Sequence, residues 1–101
     1  MGDSLKGKVA VISGVGSGFA KATAELFAQK DQVDLVMFDI NEAGLKSTVA
    51  ACEKAGSRVV AFKGDVTKAE TFNRALKECL GSFGKVDFLI NYAGGAMKVA
   101  P

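Results

Sequence analysis

Directly after a short apolar run, the chain reads Ser13-Gly14-Val15-Gly16-Ser17-Gly18-Phe19-Ala20. The run before it, Val9-Ala10-Val11-Ile12, has the composition of a buried parallel strand. The segment after it places Phe19, Ala22, Leu26 and Phe27 at helical spacing. A strand that turns through glycines into a helix is a device for holding phosphate. The first helical turn leaves N–H groups unpaired and carries partial positive charge, so a diphosphate fits there. Glycine at the turn removes the side chain that would keep phosphates away. A glycine-rich turn standing alone is also compatible with a purely structural bend, and the residues downstream decide between the two.

Three further positions carry polar chemistry at strand ends. Asp39 closes a second strand, where a dinucleotide fold places an acid to accept hydrogen bonds from the adenosine ribose. It also suits a turn residue or a helix cap. Asp65, in Gly64-Asp65-Val66, ends a third strand and suits either an acceptor for an adenine amino group or a loop cap. Asn91-Tyr92-Ala93-Gly94 ends a fourth strand with small residues that would admit the nicotinamide ribose. Asn91 equally suits a tie between loops.

The elements that must position these residues alternate without interruption. Strands are expected at Val9–Ser13, Leu35–Asp39, Val59–Phe62 and Val86–Asn91. The first helix runs from Gly18 to Gln29. Asn41 caps the second, with Glu42 in its first turn, apolar positions at Leu45, Val49 and Cys52, and a left-handed stop at Gly56. Thr67 and Glu70 form a capping box for the third. Its stripe is Phe72, Ala75, Leu76, Cys79, Leu80 and Phe83, closed by Gly84. A tail of small residues, Ala93 to Pro101, follows. Strands joined by helices pair in parallel through right-handed crossovers. The fold class is therefore α/β, a partial Rossmann-type doubly wound sheet of order 3-2-1-4, with the ligand crevice above strands one and four.

Composition narrows the function. The chain has 101 residues, 49% of them hydrophobic, and a net charge of +2. A single packed domain is expected, with no case for nucleic acid or a membrane surface as partner. No apolar run approaches the ~20 residues of a membrane helix, and the N-terminus lacks the apolar centre of a signal peptide. Met1-Gly2 fails as a myristoylation start because Lys6 stands where Ser or Thr is required. Gly2 to Lys8 fails as a P-loop because Val9 replaces the Ser or Thr and the segment precedes its strand. Cys52 and Cys79 have no metal spacing and read as buried hydrophobes in a reducing, cytoplasmic setting. The sequence has no histidine, which removes the usual general base and the commonest metal ligand. Lys21 reads as a solvated surface charge.

Together the glycine turn, Asp39, Asp65-Val66 and Asn91-Tyr92-Ala93-Gly94 resemble the short-chain dehydrogenase/reductase family, in its basic, non-extended branch, from Leu5 to Gly95. The spacing Gly14-x-x-x-Gly18 is that branch's; the extended branch would want glycine at position 17, which is Ser17. Ser13 stands for the pattern's Thr and keeps the hydroxyl. Ala20 stands for its last Gly and Tyr92 for the second Asn of N-N-A-G. The resemblance implies a nicotinamide cofactor site at Gly14, Gly16, Ser17, Gly18, Phe19, Asp39, Ile40, Asp65, Val66, Asn91, Ala93 and Gly94. The acid at Asp39, with uncharged Ser17 and Ile40, favours NAD over NADP.

The family's catalytic Ser and Tyr-x-x-x-Lys pair lie beyond this chain's last residue, so residues 1–101 are expected to be the cofactor-binding part of a longer protein, or the product of a partial or mis-stopped gene. No catalytic residue and no metal ligand is assigned. The implied function is hydride transfer between NAD and an alcohol or carbonyl substrate by the full-length enzyme. The alternative is a non-catalytic nucleotide-binding or interaction module. With strand four left as an edge, a homo-oligomer is expected, joined through that strand or the third helix.

Overall fold

The computed structural model describes residues 4–16, 18–93 and 96–99. Strand β1 (Val9–Ser13) is buried along its whole length. It is flanked by β2 (Asp34–Asp39) and β4 (Phe88–Ala93), and β3 (Val59–Lys63) lies outside β2. The four pair in parallel, in register Val9↔Asp34, Ser13↔Asn91 and Asp39↔Lys63. That is the expected order 3-2-1-4. Burial on both faces explains why β1 is apolar at consecutive positions instead of alternating.

A fifth strand, β5 (Ala96–Val99), pairs antiparallel with β4, Ala93 against Ala96 and Ile90 against Val99. This corrects the tail of small residues and removes the bare edge of β4, whose hydrogen-bonding groups are taken up by β5. The outward edge is now that of β5. Gly94-Gly95, between two short runs, is a hairpin signal in the sequence.

Side chains of β1 and β2 point alternately to two cores. Ala10, Ile12, Leu35 and Met37 face helices α1 (Gly18–Asp31) and α2 (Glu42–Lys54), while Val9, Val11, Val36 and Phe38 face α3 (Ala69–Phe83). Helix α1 corrects the expected apolar face. Its buried residues are Ala20, Ala24 and Ala28, whereas Phe19 is 74% and Leu26 is 52% exposed. Ala22 is exposed too, and Phe27 is half-buried. The layer beneath is already filled by Ile12, Leu35 and Met37, so the facing helix must bring small side chains to reach close packing.

Asn41 caps α2 as expected, its Oδ1 accepting from the Gly44 N–H at 3.2 Å, and Gly56 follows with φ of 112°. The capping box at α3 does not form. Thr67 donates both its N–H, at 2.8 Å, and its hydroxyl, at 2.6 Å, to Asp65 Oδ1, and the helix starts after Lys68 with no side-chain cap. Gly84 ends α3 in the left-handed conformation. On the α3 stripe Ala75 and Cys79 are buried, but Leu80 is 55% exposed. No helix among the described residues is long and apolar enough to cross a membrane.

Candidate functional site

The carboxyl ends of β1 to β4 converge at the glycine turn. The Gly14 N–H donates to the Phe38 carbonyl at 3.0 Å, which ties the turn to the end of β2. Gly14 and Gly18 hold φ of 74° and 67°, a region that strains residues with a side chain. Gly16 is needed for a different reason. A Cβ there would come within 2.8 Å of Asp39 Oδ2. That oxygen accepts the Gly16 N–H at 2.7 Å, and Asp39 Oδ1 accepts the Asn41 N–H at 2.7 Å. Asp39 is therefore a turn residue and a latch on the glycine turn at once. A carboxylate offers about four lone-pair sites, so capacity remains for further donors.

Asp65 accepts both Thr67 hydrogen bonds, which hold its carboxyl below the usual carboxylate range. It acts as a loop cap there, beside Gly64, whose N–H donates to the Asp39 carbonyl. Val66 packs against the core under α3. Asn91 Oδ1 accepts the Ser13 hydroxyl at 2.6 Å across the β1–β4 pair. This contact gives a use for the hydroxyl that Ser13 retains, and it makes Asn91 a tie between strands. Ala93 closes β4. Ser17 and Gly94 lie outside the described residues.

Of the four large hydrophobic residues that stand exposed among the described residues, two belong to this end of the sheet. Phe19 follows the turn at 74% and Ile40 follows Asp39 at 62%. Exposed apolar side chains beside a phosphate-type turn are what a flat, partly apolar ligand requires.

Lys21 is a partly exposed charge that also has partners. Its Nζ lies 2.8 Å from Glu25 Oε2 and 3.3 Å from the Thr48 hydroxyl. Thr48 was not legible as part of the site: it is a fully buried helix residue whose hydroxyl donates to the Val15 carbonyl at 2.7 Å. Its partner lies in the glycine turn, where no local spacing points.

The cysteine thiols offer no nucleophile. Burial above all, with the Glu25 charge adding, pushes Cys52 up to about 11, and burial raises Cys79 as well. A thiol so placed stays protonated near neutrality. Among the described residues no group of acidic or cysteine side chains is arranged to hold a metal ion.

The family model described as short chain dehydrogenase matches residues 8–101. Estradiol 17-beta-dehydrogenase 11 of Rattus norvegicus is 36% identical over 91 residues, covering 90% of this chain and 30% of the relative. A hydroxynaphthalene reductase-like protein of Metarhizium guizhouense is 35% identical over 91 residues, 90% of this chain and 34% of its own length. Among solved structures, a short chain dehydrogenase/reductase from Burkholderia phymatum in complex with NAD superposes with a TM-score of 0.79 at 38% identity, covering 87% of this chain and 31% of that one. L-Sorbose reductase from Gluconobacter frateurii, complexed with NADPH and L-sorbose, gives 0.81 at 35% identity, over 93% and 36%. The chain spans about a third of the length of these relatives. Fold, turn and sequence agree, and the protein belongs to the short-chain dehydrogenase family.

Proposed function

We propose that residues 1–101 are the dinucleotide-binding part of an NAD-dependent oxidoreductase, which in full moves hydride between the nicotinamide and an alcohol or carbonyl substrate. The observation that carries this reading is the Asp39 carboxylate, held 2.7 Å from the Gly16 N–H at the mouth of the turn. The diphosphate sits at the start of α1, against Gly14, Gly16, Ser17 and Gly18. The unused lone pairs of Asp39 take the ribose hydroxyls. Phe19 and Ile40 supply apolar surface, Asp65 and Val66 the adenine end, and Asn91, Ala93 and Gly94 the nicotinamide ribose. The bound cofactor supplies the hydride chemistry.

NAD is the cofactor this arrangement fits. NADP carries a phosphate on the ribose that Asp39 would hold. At ~4 Å and an effective dielectric of ~20, unit like charges repel by about 4 kcal/mol, and a third of that is already a tenfold preference. The two relatives of known complex carry NAD in one case and NADPH in the other, and the proposed preference for NAD rests on Asp39 alone. Calorimetric titration of the chain, or of the full-length protein, is expected to favour NAD by at least about tenfold. Asp39→Ser with Ile40→Arg should weaken both dinucleotides, because Asp39 also holds two backbone N–H groups, and should move the ratio toward NADP. An unmodified protein that already prefers NADP would mean that Asp39 does not hold the ribose hydroxyls.

Self-association belongs to the same proposal. It is supported by Leu80, 55% exposed on α3, and by the outer edge of β5. Sedimentation is expected to show a dimer or larger species that Leu80→Lys weakens; a stable monomer at high concentration sinks this part.

A further inference from the structure

The glycine turn is gripped from the side of α2. Threonine inside a helix commonly turns its hydroxyl to its own i−4 carbonyl. In Thr48 that contact, to the Gly44 carbonyl, is 3.1 Å, but the Val15 carbonyl, 33 residues away in sequence, is at 2.7 Å. A hydroxyl has one proton to donate, and the shorter contact is the one that crosses between elements. Its lone pairs face Lys21 Nζ at 3.3 Å, and Lys21 is held in turn by Glu25.

The Val15 carbonyl and the Gly16 N–H are the two ends of one peptide group. Thr48 holds the carbonyl and Asp39 holds the N–H, each at 2.7 Å. One turn before Thr48, Gly44 lets α2 approach the next peptide: a Cβ on Gly44 would overlap the Gly16 carbonyl oxygen. A peptide next to glycine has two low-cost orientations, because glycine accepts either sign of φ. In this turn one orientation is selected from both ends, and it is the one that presents the Gly16 N–H to Asp39.

We propose that Thr48 is a positioning residue for the dinucleotide, locking the Val15–Gly16 peptide so that the turn and the Asp39 carboxylate keep one geometry for the ligand. The proposal rests on the cofactor reading above. Without the Thr48 hydroxyl the buried carbonyl loses its donor, the peptide is held only by Asp39 and turns over more readily, and each turn takes from Asp39 the N–H that aims it. Gly44 contributes by absence: it admits the turn close enough for Thr48 to reach it.

The test compares Thr48→Val, which keeps the shape and removes the donor, with Thr48→Ser, which keeps the donor. Each variant of the 101-residue chain is titrated with NAD and with AMP, and amide hydrogen exchange at Gly16 is followed well below the melting temperature. Thr48→Val is expected to weaken NAD and AMP alike by about tenfold, the size of effect that follows from losing one buried hydrogen bond, and to speed Gly16 exchange by a similar factor. Thr48→Ser should stay within about threefold of the unmodified chain. A Thr48→Val protein that melts earlier but binds and exchanges as before overturns the proposal, since that is what a packing role alone gives. Should the unmodified chain bind neither ligand, the cofactor reading is what fails, and the grip on the turn is then judged by Gly16 exchange: faster in Thr48→Val and restored in Thr48→Ser supports it, unchanged in both overturns it.

Discussion

Purified as its 101 residues, the protein is expected to give no NAD- or NADP-linked oxidation of alcohols or reduction of ketones above the buffer rate. The family resemblance calls for a tyrosine that exchanges a proton beside the hydride transfer, with a lysine four positions on. The sequence has one tyrosine and no histidine. That tyrosine, Tyr92, is a residue of β4, and Ala96 stands four places later. Three other titratable groups near this end of the sheet already have partners. Asp39 accepts two backbone N–H groups. Asp65 accepts twice from Thr67 and is held below the usual carboxylate range, so it stays ionised at neutral pH and has no proton to give. Lys21 is paired with Glu25. A positioned acid or base contributes ~10²–10⁴-fold, and its loss alone takes a modest enzyme below detection. The measurement is the absorbance of the reduced nicotinamide with a panel of simple alcohols and ketones. Saturable turnover by these 101 residues would mean that the chemistry lives among groups that otherwise serve the scaffold.

What was legible in the sequence was whatever is written locally. The glycine turn, the strand ends at Asp39 and Asp65, the cap at Asn41 and the stop at Gly84 each depend on residues within a few positions of one another. Parallel order followed from the alternation of strands and helices. What was missed depends on partners distant in sequence or on volume. Phe19 and Leu26 look like a core face because large apolar residues are read as buried, yet α1 packs through Ala20, Ala24 and Ala28 against strands whose own side chains fill the layer. Thr67 followed by Glu70 is a sound capping pattern, but Asp65 competes for the same hydroxyl and wins at 2.6 Å. Thr48 reads like any helix threonine until the Val15 carbonyl is placed beside it. Ser13 and Asn91 lie 78 residues apart and meet only because β1 and β4 are neighbours.

The largest expected loss of stability is at the residue beside the latch. Phe38 is 0% exposed and stands between the sheet and α3. Its ring stacks on Phe62 at 5.3 Å and 11°, and meets the edge of Phe72 at 5.0 Å and 83°. Removing a buried phenylalanine ring costs about 3–5 kcal/mol through lost transfer energy and the cavity left behind. A domain of this length is stable by only about 5–15 kcal/mol, so Phe38→Ala should take away about a fifth of the total or more. The consequence reaches the site directly, because the Phe38 carbonyl accepts the Gly14 N–H and the next residue is Asp39. Urea unfolding is expected to show the drop as a lower midpoint. Lys77→Ala serves as the contrast: its side chain is exposed on α3, and a surface change of that kind stays within about 0.5 kcal/mol. The contrast also separates the two sides of α3. If Phe38→Ala lost less than about 1 kcal/mol, the aromatic layer under α3 would not be packed as described, and the end of β2 would need another anchor to hold Asp39 against the glycine turn.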